Sequence, residues 1–191
     1  MQIRTGKEDF TRGGNPLGFT LQDFWQFQFS NIYDLQEHIA EFLVAKALGI
    51  NEPHNRNGWT LWDVDYEGLR IEIKETGYYY SWQENGHISK RRSWGITKAF
   101  SEYKNPKSEY KRQSDVYVFC LNTGESPKDS DPLNLEHWEF YIVKTKLIDE
   151  KCGDHKSISL NRVRALTNKV SFEEIKPTID QIIRETKLTL N

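Results

Sequence analysis

Residues 59–76, WTLWDVDYEGLRIEIKET, decide how this chain folds. Trp62, Val64 and Tyr66 alternate with Leu61, Asp63 and Asp65. Beyond Glu67-Gly68, Leu69, Ile71 and Ile73 alternate with Arg70, Glu72 and Lys74. A period of two on both sides of a two-residue turn signal predicts a β-hairpin with one apolar and one charged face. With the turn at Glu67-Gly68, Tyr66 pairs with Leu69, Asp65 with Arg70, Val64 with Ile71 and Asp63 with Glu72. Opposed residues share a face about 5 Å apart. Asp63 and Glu72 are therefore side by side, Lys74 joins them two residues on, and Asp65 with Arg70 reads as an ordinary cross-strand ion pair.

Two facing carboxylates repel unless a cation lies between them. A strand face that only needed solubility would pair opposite signs, as at Asp65 and Arg70, although exposed faces carry Glu and Lys for that reason alone too. A divalent ion resolves the repulsion. Mg²⁺ or Mn²⁺ takes one or two carboxylates, and the rest of its shell suits water and phosphate oxygens. An ammonium beside it, here Lys74, can stabilise charge that develops on a phosphoryl group.

Outward from the hairpin, residues 1–19 are polar and Gly-rich and read as loop. Residues 21–29, LQDFWQFQF, read as a short aromatic helix. A second helix follows, with Asp34 as N-cap, Glu37 three residues on, an apolar face of Leu35, Ile39, Phe42 and Leu43, and Gly49 at its close. Glu41 stands on a different stripe, with Asp34, His38 and Ala45. After the hairpin, residues 84–113 are polar, with a mixed helix or loop at 97–103. Residues 115–121 (DVYVFCL) and 138–147 (WEFYIVKTKL) read as strands, 170–172 as a short strand, and Pro177 as the first turn of a last helix to about Lys187. The order α, β-hairpin, mixed segment, β, β, α predicts an α/β (α+β) class. A central mixed sheet flanked by helices is the expected architecture.

Asp63, then Glu72-Ile73-Lys74 on the second strand of a hairpin that a helix precedes, resembles the PD-(D/E)XK nuclease superfamily, the restriction-endonuclease-like fold. That superfamily has a helix, a three-stranded antiparallel run with the motif on its second and third strands, a crossover helix and a further strand. The resemblance spans residues 35–143, and extends to an uncharacterised bacterial group through residues 71–82 and the later DVYVFCL and WEFYIV. The Pro that often precedes the Asp is replaced by Trp62. The resemblance implies a catalytic set of Asp63, Glu72, Lys74, Glu41 and Gln83. Asp63, Glu72 and the Ile73 carbonyl would hold Mg²⁺ or Mn²⁺, and water would attack phosphorus in line. The implied activity is a DNA endonuclease of restriction or repair type, and a homodimer is compatible with it. The alternative is a nucleic-acid-binding or interaction protein that keeps the fold without cleaving.

The chain's 191 residues suit one domain. Residues 1–30 form an extension and 87–113 a basic insertion. Lys plus Arg number 26 against 28 Asp plus Glu, which excludes a generally basic coat but not a local patch. Residues 87–113 supply one: eight basic side chains, among them Lys90, Arg91, Arg92, Lys98 and Arg112, oppose Glu102 and Glu109. Trp94, Phe100, Tyr103 and Tyr110 are interleaved, so the segment is the expected nucleic-acid surface. Basic runs also form solvated faces. Cys120 and Cys152 read as free thiols of a cytoplasmic protein, and neither a signal peptide nor a membrane span is expected.

Overall fold

The computed structural model describes residues 4–51, 60–80, 92–102, 105–126 and 129–189. Gln83, Lys90 and Arg91 lie outside them.

The hairpin forms in the register that its alternation requires. Strand β3 (Val64–Tyr66) pairs antiparallel with β4 (Leu69–Gly77) through Val64–Ile71, Asp65–Arg70 and Tyr66–Leu69. Glu67 and Gly68 both take positive φ, 48° and 82°, as the tight hairpin turn that matches strand twist demands. Strand β8 (Val116–Asn122) lies parallel to β4. Strand β9 (Trp138–Lys144) runs antiparallel to β8, and β11 (Lys169–Val170) antiparallel to β9. The five-stranded mixed sheet has the order β11-β9-β8-β4-β3. Every residue of β8 is buried, which is the pattern of a central strand covered on both faces.

One face packs against α2 (Gln36–Ala47) and α5 (Phe172–Thr189). Val64, Ile71, Ile73, Val118 and Cys120 meet Ala40, Val44, Ile175 and Ile179 there. The other face, with Tyr117, Phe119, Leu121 and Tyr141, is covered by Trp94 and Ile96, by α3 (Thr145–Cys152) and by α4 (Leu160–Leu166). Sheet and helices thus form a three-layer α/β arrangement, and the α/β class expected from the element order is the class observed.

Several local expectations are corrected. Residues 9–20 are not loop: β1 (Asp9–Arg12) and β2 (Asn15–Thr20) form a hairpin whose turn, Gly13-Gly14, has positive φ at both positions. Helix α1 (Leu21–Gln28) follows, closed by Thr20 and Asp23 in a reciprocal cap. Asp34 does not cap α2. It lies in a 3-10 turn, Ile32–Leu35, where it accepts a hydrogen bond from Asn31 Nδ2 at 2.6 Å. The buried stripe of α2 is Gln36, Ala40 and Val44, and Phe42 points to solvent. The strand from Trp138 ends at Lys144, because Thr145 opens α3. Pro177 sits inside α5, five residues after its start, and has no N–H to give to the Glu173 carbonyl one turn back.

The stretch between β4 and β8 holds no helix among its described residues. It contains β5 (Ser93–Gly95), which pairs with β10 (Ser157–Ser159), and the small hairpin of β6 (Ala99–Phe100) and β7 (Tyr110–Lys111). Among the described residues no strand of the five-stranded sheet precedes β3.

Candidate active site

The hairpin ladder stops at Val64, one residue short of Asp63. The Asp63 N–H still donates to the Ile71 carbonyl at 2.9 Å. The next amide of β4 on that side, Ile73 N–H, goes to the Asp63 carboxylate instead, 2.7 Å from Oδ2. The side chain thus takes the place of a backbone acceptor and is held at the sheet edge. Alternate residues of a strand turn their backbone groups to the same neighbour, so the Ile73 carbonyl leaves β4 on the Asp63 side as well.

Glu72 and Lys74 share the other parity of β4. Their parallel neighbours on β8 are Tyr117 and Phe119. Lys74 Nζ donates to Glu72 Oε1 at 2.6 Å, with the side chains 31% and 17% exposed. Burial alone would lower the Lys74 pKa. The charges of Glu72, Asp63 and Glu37 outweigh it, and the ammonium is held above its ordinary range. The field of Glu72 also helps burial to push Tyr117 up to about 12.

Helix α2 adds two carboxylates beside its buried stripe. Glu37 is exposed and its field reaches both Lys74 and Glu75. Glu41 is half-buried. With Glu75 and Asp63, it reinforces the burial that pushes the Cys120 thiol far above its usual value. Cys120 lies inside the apolar layer under α2.

Glu75 was not among the expected site residues. It follows Lys74, so it falls on the apolar parity of Ile71 and Ile73, and a carboxyl there is a signal that alternation alone reveals. Burial pushes it up to about 8. A hydrogen bond from Tyr80 opposes the rise, Glu37 adds to it, and Arg92 opposes it. The Tyr80 hydroxyl lies 3.3 and 3.4 Å from the Glu75 oxygens and accepts the Gly77 N–H at 2.8 Å. Next to this group, the Gln36 side-chain oxygen is buried without a hydrogen-bond partner.

Three expectations change. Asp65 does not pair with Arg70. It accepts the Trp62 indole N–H at 2.9 Å, while Arg70 makes two bonds to Asp115, at 2.6 and 2.9 Å. Asp115 stands at the mouth of the neighbouring strand, where the planar guanidinium engages both oxygens, and a bidentate pair outcompetes a cross-strand one. Asp115 is lowered by this bond against the pull of its own burial. Trp62 is consequently half-buried at the edge rather than part of the core.

Arg92 and Arg112 are the second and third. Arg92 is buried, lies 4.6 Å over the Tyr78 ring and donates to the Tyr78 carbonyl at 3.0 Å. Its desolvation lowers its pKa. Arg112 is 3% exposed. It donates to the carbonyls of Ile96, Gly153 and His155 and pairs with Asp149. Both guanidiniums are turned inward, Arg112 with four partners and Arg92 with the Tyr78 carbonyl and ring, its Nε buried without a hydrogen-bond partner. Lys98 stays at the surface and pairs with Asp154 at 2.7 Å.

Among the described residues no three His, Cys, Asp or Glu side chains converge as a metal-holding group. Two carboxylates and a carbonyl are nonetheless the hard oxygen donors that Mg²⁺ or Mn²⁺ accepts, because these ions complete their shell with water. Asp63, Glu72 and the Ile73 carbonyl fit that chemistry. No protein-family model matches the chain, and no curated protein matches it.

Proposed function

We propose that this protein hydrolyses phosphodiester bonds in nucleic acid, with DNA as the substrate, as a metal-dependent endonuclease on a PD-(D/E)XK-like core. The observation that supports this best is the Glu72–Lys74 contact, with Lys74 in the combined field of Glu72, Asp63 and Glu37. A strand face built only for solubility would set its ammonium in water. Here a half-buried ammonium is held charged by its bond to Glu72 and by the fields of Asp63 and Glu37.

Asp63, Glu72 and the Ile73 carbonyl would hold Mg²⁺ or Mn²⁺, which supplies an activated water and neutralises charge on the scissile phosphate. The protein's own groups do the rest. The Ile73 amide orients the Asp63 carboxylate. Glu72 keeps Lys74 protonated and at the surface of the site, where it stabilises the negative charge that grows on the phosphoryl oxygens. Glu41 stands on α2, over the face of the sheet opposite to Glu72 and Lys74, where its field reaches the Cys120 thiol, so it lies apart from this set.

The second reading is a protein that binds nucleic acid on the same core without cutting it. The test is single-turnover incubation of the wild-type chain with end-labelled single- and double-stranded DNA and RNA, in Mg²⁺ or Mn²⁺, beside a binding titration in Ca²⁺. The expected result is cleavage of DNA that Asp63→Ala abolishes. Binding without cleavage of any substrate favours the second reading, and neither binding nor cleavage overturns both.

A further inference from the structure

The N-terminal unit, residues 4–29, has an unusual surface. Helix α1 buries none of its residues. Phe10, Leu17, Phe19, Phe24, Trp25, Phe27 and Phe29 are all exposed large apolar side chains, with Phe27 at 83%. The unit is nonetheless ordered by its own contacts. Gln22 N–H bonds to the Gly6 carbonyl and Leu21 N–H to that of Glu8, each at 2.9 Å, which ties α1 to the segment before β1. Trp25 packs against Gly6, where a Cβ would meet its ring at 2.8 Å. Phe10 and Phe19 pack against each other across the hairpin, with centroids 5.1 Å apart and planes tilted by 34°. At 100° per residue, Phe27, Phe24, Leu21, Trp25 and Phe29 fall on an arc of roughly 200° of α1, and Gln22, Asp23 and Gln26 occupy the remainder.

We infer that this aromatic face is a self-association surface, on which the N-terminal unit of a second copy of the chain packs to form a twofold dimer. Area is the first argument. Taking about 200 Å² for a whole aromatic side chain, the seven residues expose roughly 600 Å² of apolar surface. That is the upper end of what a monomer leaves open, and most of the ~800 Å² that each partner contributes to a standard interface. Charge is the second. Arg4, Lys7 and Arg12 balance Glu8, Asp9 and Asp23. Glu8 is bonded to the backbone of Thr5 and Gly6, and Asp23 to that of Thr20. A neutral face does not repel its own copy, whereas a nucleic-acid surface is basic and a membrane-bound helix carries Lys and Arg along its polar side. The third is the rim. Gln22 and Gln26, on the polar border of the arc, each carry a donor and an acceptor, so the same amides can satisfy one another across a twofold axis, as an isologous contact requires. This inference does not depend on the nuclease reading.

The test is sedimentation equilibrium of the full-length chain over a wide concentration range, for wild type and for Phe24→Glu/Phe27→Glu. The wild type is expected to dimerise reversibly. The double variant should weaken the dimer by about 30-fold or more, as loss of a central aromatic anchor does. Because neither side chain is buried in the monomer, the variant should keep its circular dichroism spectrum. A wild type that stays monomeric at hundreds of micromolar overturns the inference, as does a dimer that the double variant leaves unchanged. Flotation of monomeric wild type, but not the variant, with phosphatidylcholine vesicles would overturn it in favour of a lipid surface.

Discussion

Two stretches of this chain carry dense charge, and the fold uses them in opposite ways. At the end of the β3–β4 hairpin, Asp63, Glu72 and Lys74 stay partly exposed, with Lys74 bonded to Glu72 and within the field of Asp63. In the basic stretch after β4, Arg92 and Arg112 are drawn inward, and only groups such as Lys98 remain at the surface. Both stretches read as surface chemistry from residue types alone. The difference lies in what each charge can reach. A strand holds its side chains in alternation, so neighbours in the sequence become neighbours on a face. In an irregular stretch, a long guanidinium satisfies whichever buried carbonyls the connection leaves open, and its five donors make it well suited to do so.

The largest expected effect tests the inward half of that contrast. Arg112→Met leaves the carbonyls of Ile96, Gly153 and His155 without their donor. It should cost about 3 kcal/mol of stability and lower the Tm by roughly 10 °C. Affinity for nucleic acid among the molecules still folded should keep its wild-type salt dependence. A stable variant with a flatter salt slope would return Arg112 to the binding surface.

The outward half is tested at Lys74. Lys74→Ala should reduce single-turnover cleavage by ~10²-fold or more, as loss of one electrostatic stabiliser does, and leave binding in Ca²⁺ within a few-fold. Equal cleavage by the variant would detach the activity from this site.

Divalent metal should stabilise the wild type by about 2.7 kcal/mol at a hundredfold excess over its dissociation constant. Thermal unfolding with and without Mn²⁺ measures this. Asp63→Ala should lose the gain and Asp65→Ala should retain it, because Asp65 is turned to the Trp62 indole. A gain that Asp65→Ala abolishes would reverse the two assignments.

Glu75 sharpens the comparison through pH. Its carboxyl is raised from 4.5 to about 8 in the folded protein. Between those values the folded state keeps a proton that the unfolded chain releases, so this group's contribution to stability falls as pH rises through that window. In metal-free buffer Glu75→Gln should remove that part of the slope. Parallel pH profiles for the two proteins would show that the Glu75 proton is not retained.

The smallest effect is expected at Lys98. Its partner Asp154 is almost fully exposed, so Lys98→Ala should change stability by under about 0.5 kcal/mol. If Lys98 contacts a phosphate, the slope of log affinity against log salt should flatten by roughly one unit. An unchanged slope would remove Lys98 from the binding surface.

What the sequence determined by itself is local. The hairpin, its turn and its register follow from alternation around Glu67-Gly68, because a slip of one residue would exchange the buried and the charged faces of β3 and β4. The central strand was legible in the unbroken apolar run before Leu121, and the α/β class in the order of elements. Tertiary structure decided everything that depends on a partner distant in the chain. Arg70 chose Asp115, forty-five residues away, over the Asp65 opposite it. Asp63 took the Ile73 amide where the ladder ran out. Glu75 was raised by burial and by Glu37 on α2, against the hydrogen bond from Tyr80. Two buried arginines found their carbonyls only once the connection after β4 had folded against the rest. Side-chain periodicity reports which face a residue takes, whereas the energy of a charge depends on what surrounds it, and packing between distant segments supplies those surroundings.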